Sequence, residues 1–252
     1  MGAKEVASKA FTKALELQAP AARSTIKRLR AVHPDDSPDR LARRLKTYYL
    51  ATVTTSGGVS GAVSLAPAAG VGLALADGMA FTEASVFYVL ALAELHGLHP
   101  EDLERRRLLV QTVLIGESAV KTLDAAASRT GGYWAKRIVQ SIPMATINKI
   151  NKLLGPRFIT KYGVKQGILV LGKVVPAGVG AVLGAGGNHL VARGVVTAAR
   201  KIFGPAPEDF IDPAAAGESG SSGRNDPWVE DSEMDVTPGK ADDLRGAPDE
   251  DL

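Results

Sequence analysis

No cysteine occurs among the 252 residues. That removes disulfides, a thiol nucleophile and thiolate metal sites, and leaves the fold resting on packing in a reducing or redox-indifferent compartment. Aromatic residues are scarce (Trp 2, Tyr 5, Phe 6) while glycine reaches 27, so small residues must provide many of the close contacts. The first residues, MGAKEVASKAFTK, contain no apolar core of a secretory signal, and Val6 stands where a myristoylation pattern needs Ser or Thr. A cytoplasmic protein is the expectation, with enough chain for one sizeable core.

Negative charge is also missing from a long stretch. The formal net charge is only +3, yet residues 205–252 hold 14 Asp/Glu against Arg224, Lys240 and Arg245, a net of −11, which leaves the preceding 204 residues at +14. Between Asp124 and Glu208 there are twelve Lys/Arg and no acid: Arg129, Lys136, Arg137, Lys149, Lys152, Arg157, Lys161, Lys165, Lys173, Arg193, Arg200 and Lys201. Such a stretch attracts a polyanion, whether lipid headgroups, nucleic acid or an acidic peptide; the plain alternative is a solubilising basic face.

The pattern is helical throughout and implies an all-α domain. A short amphipathic helix is expected within residues 1–23, followed by a helical domain over 24–204. Ser37-Pro38 reads as an N-cap and first helical residue. A helix then ends near Gly57-Gly58, a long apolar one runs from about Val71 to Leu95 with Gly97 as its stop, and Pro100-Glu101-Asp102 opens the next. Further helices are expected at 117–128, 133–141, 144–154, 157–174 and 188–203, punctuated by Gly and Pro. VTT at 53–55 and ILVL at 168–171 are too isolated to make a sheet. The tail, 205–252, cannot bury enough surface to offset ordering and is expected to be disordered. Within it DPWVEDSEMDV sets an apolar group in the acidic field, and around Trp228 it reads as a docking motif for a protein partner.

Two glycine-rich segments stand out. Residues 47–76 and 174–192 are uncharged, and each contains an apolar pair, a proline and Gly-Val-Gly: LAPAAGVG at 65–72 and VVPAGVG at 174–180. Small residues three or four apart let helices approach closely, and a proline bends a helix. Pro67, Gly70 and Gly72, with Pro176, Gly178 and Gly180, are therefore the expected hinges of two apolar helical hairpins. Gly and Ala contribute little hydrophobic transfer, and positive residues flank the second segment at both ends. A hairpin that enters a membrane and returns to the same face fits better than a crossing. Close-packed helix pairs in a soluble core are the other reading.

Three stretches together resemble the EcsC family, in its actinobacterial-type form: RLRAVHPDDSPDRLARRLKTYYLATVTTSGGVSGAVSLAPAAGVG at 28–72, EASVFYVLALAELHGL with ERRRLLVQTVLIGES after it, and INKLLGPRFITKYGVKQGILVLGKVVPAGVGAVLGAGGN at 150–188. The resemblance covers most of residues 24–204. It implies a helical, membrane-associated protein with no established reaction and no catalytic residues to carry over. Asp77 departs from the glutamate expected early in the long helix.

Sites of familiar chemistry fail on inspection. GILVLGKV at 167–174 ends in Val174 and has four bulky aliphatics where a phosphate loop must wrap. GVGAVLG at 178–184 has no acid before Glu208 to hold a ribose. Ser60 and Ser118 lack the second glycine of a nucleophile elbow. HGLHPED at 96–102 carries His96 and His99, but Gly97 and Pro100 already explain it as a helix break, with His99 as a cap, so no metal or cofactor is expected. Asp77, Glu83, Glu94, Asn188 and His189 are polar residues in apolar helices. An enzyme would need them to converge, whereas pairing of the acids with later Lys/Arg is the expected structural role.

The resulting expectation is a non-catalytic protein at the inner face of the cell membrane. It would bind anionic lipid through Lys149, Lys152, Arg157, Lys161, Lys165, Lys173, Arg193, Arg200 and Lys201, with the acidic tail competing for that surface. A membrane-associated hydrolase is the alternative. Nucleic-acid binding ranks third, because few aromatics interleave the basic residues, and no nucleotide is expected.

Overall fold

The computed structural model describes the backbone of residues 3–63, 67–127, 133–164 and 179–211, and their side chains except 3–4, 56–79, 127, 162–164 and 179–186. Among the described residues every regular element is helical: α1 Ala3–Val32, α2 Pro38–Val63, α3 Pro67–Leu95, α4 Leu103–Ile115, α5 Glu117–Ala127, α6 Trp134–Gln140, α7 Met144–Phe158 and α8 Val179–Phe203. A π-helical turn, Ile159–Val164, continues α7.

Helix starts and stops follow local chemistry. Ser37 accepts from the Arg40 amide at 3.3 Å, and Pro38 takes the first position of α2, where its missing N–H costs nothing. Gly97, Gly116 and Gly204 end α3, α4 and α8 with φ of 65°, 81° and 80°, a region open to glycine without a Cβ clash.

Several expected boundaries are corrected. The N-terminal helix does not end within residues 1–23, because α1 runs through Pro20 to Val32; burial of Phe11, Ala14, Leu15, Ala22 and Ile26 along one face holds it together despite the hydrogen bond that proline removes. Helix α2 continues past Gly57-Gly58, and VTT is helical within it. The packed body also extends beyond residue 204. Arg30 stacks over the Phe210 ring at 4.2 Å, and Ile211 lies against Gly97. ILVL at 168–171 lies outside the described residues.

The four long helices form a row in which α1 packs on α3, α3 on α2, and α2 on α8, while α4 packs on α7 and touches α3, α5, α6 and α8. Being covered on several sides, α3 and α4 lose amphipathic periodicity: Leu90, Ala91, Leu92, Ala93 and Leu95 are buried, as is every residue from Leu108 to Leu114. Each fully buried leucine contributes about 1.5–3 kcal/mol.

Helix direction can be read from side-chain contacts. The Tyr49 hydroxyl lies 2.8 Å from Ser85 Oγ, and the Tyr49 and Tyr88 rings stack at 4.6 Å. Since Ser85 gives its proton to the Phe81 carbonyl at 2.7 Å, the tyrosine is the donor. These contacts make α2 and α3 antiparallel. Helix α8 joins them through Thr54 Oγ1 with His189 Nδ1 at 3.1 Å, and Phe203 meets the His96 ring at 5.0 Å. It therefore runs parallel to α3.

Candidate functional site

Two polar groupings interrupt this apolar packing, one at the C-terminal end of α3 and one between α2 and α8. The first is centred on Glu94, whose side chain is 9% exposed. One carboxylate oxygen meets Arg23 Nε at 3.5 Å and the other His99 Nδ1 at 2.7 Å. Beside it opens a cleft of about 190 Å³ lined by Ala19, Pro20, Arg23, Leu90, Pro100 and Arg106. The Arg106 guanidinium is largely spent on the turn before α4, donating to the Pro100 carbonyl at 2.8 Å and to that of Glu101. The cluster thus ties α1 to the end of α3 and the start of α4.

Its histidine neighbour serves the core. His96 Nδ1 lies 2.8 Å from the Leu92 carbonyl. Burial pushes the ring below its ordinary 6.5, against backbone hydrogen bonds at Leu92, Gly204 and Pro205 that act the other way. His96 is therefore neutral at pH 7. Among the described residues no three His, Asp or Glu side chains converge as metal ligands would.

The second grouping joins α2 to α8, where Asn188 Nδ2 donates to the Val53 carbonyl at 3.4 Å beside the Thr54–His189 pair. Here the surface changes character. Tyr48 is 59% exposed and Leu190 71%, and Val191 is exposed too. Sequence patterning had not singled out these three, because a Leu or Tyr on a helix reads as core until its partners are known.

The expected site residues do not form one constellation. Glu94 pairs with the earlier Arg23 and with His99, not with a later Lys or Arg. Glu83 is exposed, and Asn188 and His189 contact the middle of α2, far from Glu94. The side chain of Asp77 lies outside the described residues. Pro67, Gly70 and Gly72 fall in the first turns of α3 and Gly180 in the first turn of α8, while Pro176 and Gly178 lie outside the described residues.

The basic residues separate in the same way. Lys149 and Lys152 are exposed on α7 with half-exposed Leu153 beside them; Arg193, Arg200 and Lys201 are exposed on α8. These helices pack against different partners, α7 on α4 and α5, α8 mainly on α2. Two cations have internal work. Arg157 donates to Thr122 Oγ1 at 3.0 Å, and Lys161 donates to the carbonyls of Leu114 and Ile115 at the end of α4. Lys165 and Lys173 lie outside the described residues. Arg200 also acts on Tyr88, whose hydroxyl burial pushes up to about 12 while the guanidinium pulls the other way.

No protein-family model matches the chain, and no curated protein or solved structure matches it.

Proposed function

We propose that this is a non-catalytic helical protein that binds anionic lipid at the inner face of the cell membrane, as its resemblance to the EcsC family implies. The observation that carries the reading is that the acid-free stretch 125–207 leaves Lys149, Lys152, Arg193, Arg200 and Lys201 exposed on α7 and α8. Each Lys or Arg close to an anionic surface contributes about 1 kcal/mol, so a few suffice. Arg157 and Lys161 are secondary on this reading. The two Gly/Pro-rich segments act as apolar hairpins that dock or insert, and the acidic tail is disordered and competes with lipid for the cations. A protein partner binds the tail near Trp228.

Flotation tests this reading. Full-length protein should float with vesicles containing phosphatidylglycerol more than with pure phosphatidylcholine, and salt should shrink the excess. Absence of flotation on either removes the proposal.

A second reading, a membrane-associated hydrolase, is favoured by one observation: a buried carboxylate, Glu94, orients His99 at 2.7 Å beside a cleft. Hydrolysis of lipid-like esters that disappears in Glu94→Gln and His99→Gln variants of unchanged melting temperature would support it over the first.

A further inference from the structure

We infer that the protein enters a single membrane leaflet with one end of the α2–α3–α8 row, and that Tyr48, Leu190 and Val191 lie at headgroup level. This rests on the anionic-surface reading and adds its depth and orientation.

The topology gathers the uncharged segments. Because α2 is antiparallel to α3 and α8 is parallel to it, the C-terminal half of α2 and the N-terminal halves of α3 and α8 share an end, with the Thr54–His189 contact near its base. The extent of that end follows from the helix bounds. From Lys46 to Val63, α2 has no charged residue after its first position; α3 has none from Pro67 to Asp77, nor α8 from Val179 to Arg193. At about 1.5 Å per residue these runs are about 25, 15 and 21 Å long.

A bilayer is about 40–45 Å thick with its headgroups, and about 30 Å in its hydrocarbon core. One leaflet is half of each. The α2 and α8 runs therefore match a leaflet with its headgroups, and Asp77 falls where the hydrocarbon ends. A full crossing needs twice that depth, and among the described residues no helix is long and apolar enough to cross a membrane.

Counted along the helices from the shared end, the exposed residues Thr55, Thr52, Leu190 and Val191 lie at about 12–18 Å, Tyr48 and Arg193 together at about 21–23 Å, and Arg200 and Lys201 behind them. Tyrosine favours the headgroup boundary, where its ring and hydroxyl are both satisfied, and cations favour the anionic surface behind it.

The absence of cysteine allows a direct test. Single replacements Ser60→Cys, Leu190→Cys and Thr197→Cys in the full chain, each carrying an environment-sensitive fluorophore, are mixed with phosphatidylcholine–phosphatidylglycerol vesicles. Expected is a strong blue shift and quenching by acyl-chain-bound quencher at 60, an intermediate response at 190 and an aqueous signal at 197. Flotation with all three labels aqueous overturns the insertion and leaves surface adsorption standing. Failure to float overturns the anionic-surface reading itself. A label at 60 reached by an impermeant reductant trapped inside the vesicles means crossing, and a blue shift without vesicles means a second copy covers this end. Either overturns the inference.

Discussion

Lys161 shows how a residue can be basic and conspicuous in sequence yet already occupied. Its ammonium lies 2.9 Å from the Leu114 carbonyl and 3.1 Å from that of Ile115, at the end of α4 where intrahelical donors run out and a positive charge is favoured. Replacing it with Met should lower stability by about 1 kcal/mol, seen as a lower urea midpoint, and leave vesicle flotation unchanged. The reverse pattern would return Lys161 to the lipid surface. Burial holds its pKa below the usual 10.5, so the unfolded chain keeps the proton longer and stability rises as pH climbs from the folded value towards 10.5. His96 obeys the same sign rule at lower pH. Its ring is pushed below 6.5, so the unfolded chain binds the proton first, and stability falls as pH drops from 6.5 until the folded ring titrates as well. Melting temperatures followed from pH 7 downward should fall less steeply for His96→Gln than for the parent chain.

At the scale of elements, three helices end on glycines of positive φ but different surroundings. A Cβ at Gly116 would meet nothing within 4 Å, whereas at Gly204 it would stand 2.7 Å from the Tyr133 ring and at Gly97 2.7 Å from Ile211 Cβ. Gly116→Ala should therefore cost only backbone strain, about 1–3 kcal/mol, because φ 81° with ψ −138° lies outside the regions an L residue readily adopts. Gly204→Ala and Gly97→Ala add displacement of a packed side chain, about 1–3 kcal/mol more. Equal denaturation midpoints for the three variants would contradict this ordering. The connection after α8 depends on two of these positions, because it crosses the α3 stop at Gly97 and finishes under Arg30.

For the whole molecule, the boundary between packed body and tail becomes a testable division. The last described residues, Phe210 and Ile211, contact Arg30 and Gly97. A chain ending at Pro213 should melt like the full protein; one ending at Gly204 should melt lower, having lost both contacts. If the tail competes with lipid, the chain ending at Pro213 should also bind anionic vesicles more tightly than full-length protein at low salt, with the difference narrowing as screening shortens to about 8–10 Å. Identical low-salt affinities would remove the competition and leave a solubilising tail.

Helical class, most helix starts and the stop at Gly97 were legible from the chain alone, because caps, prolines and positive-φ glycines act within a few residues of themselves. The charge asymmetry was equally legible, being a matter of composition. Which cations remain available was not: Arg157 and Lys161 differ from Lys149 and Lys152 only through Thr122 and the end of α4, partners 35 to 47 residues away. Glu94 was marked as a buried acid, but its pairing with Arg23 depends on α1 continuing through Pro20, where tertiary burial overrides a local helix breaker. The placement of the uncharged halves of α2, α3 and α8 at one end was likewise decided by the tertiary structure. Residue order sets what each helix can bury, but the directions of three helices follow from packing between segments far apart in the chain.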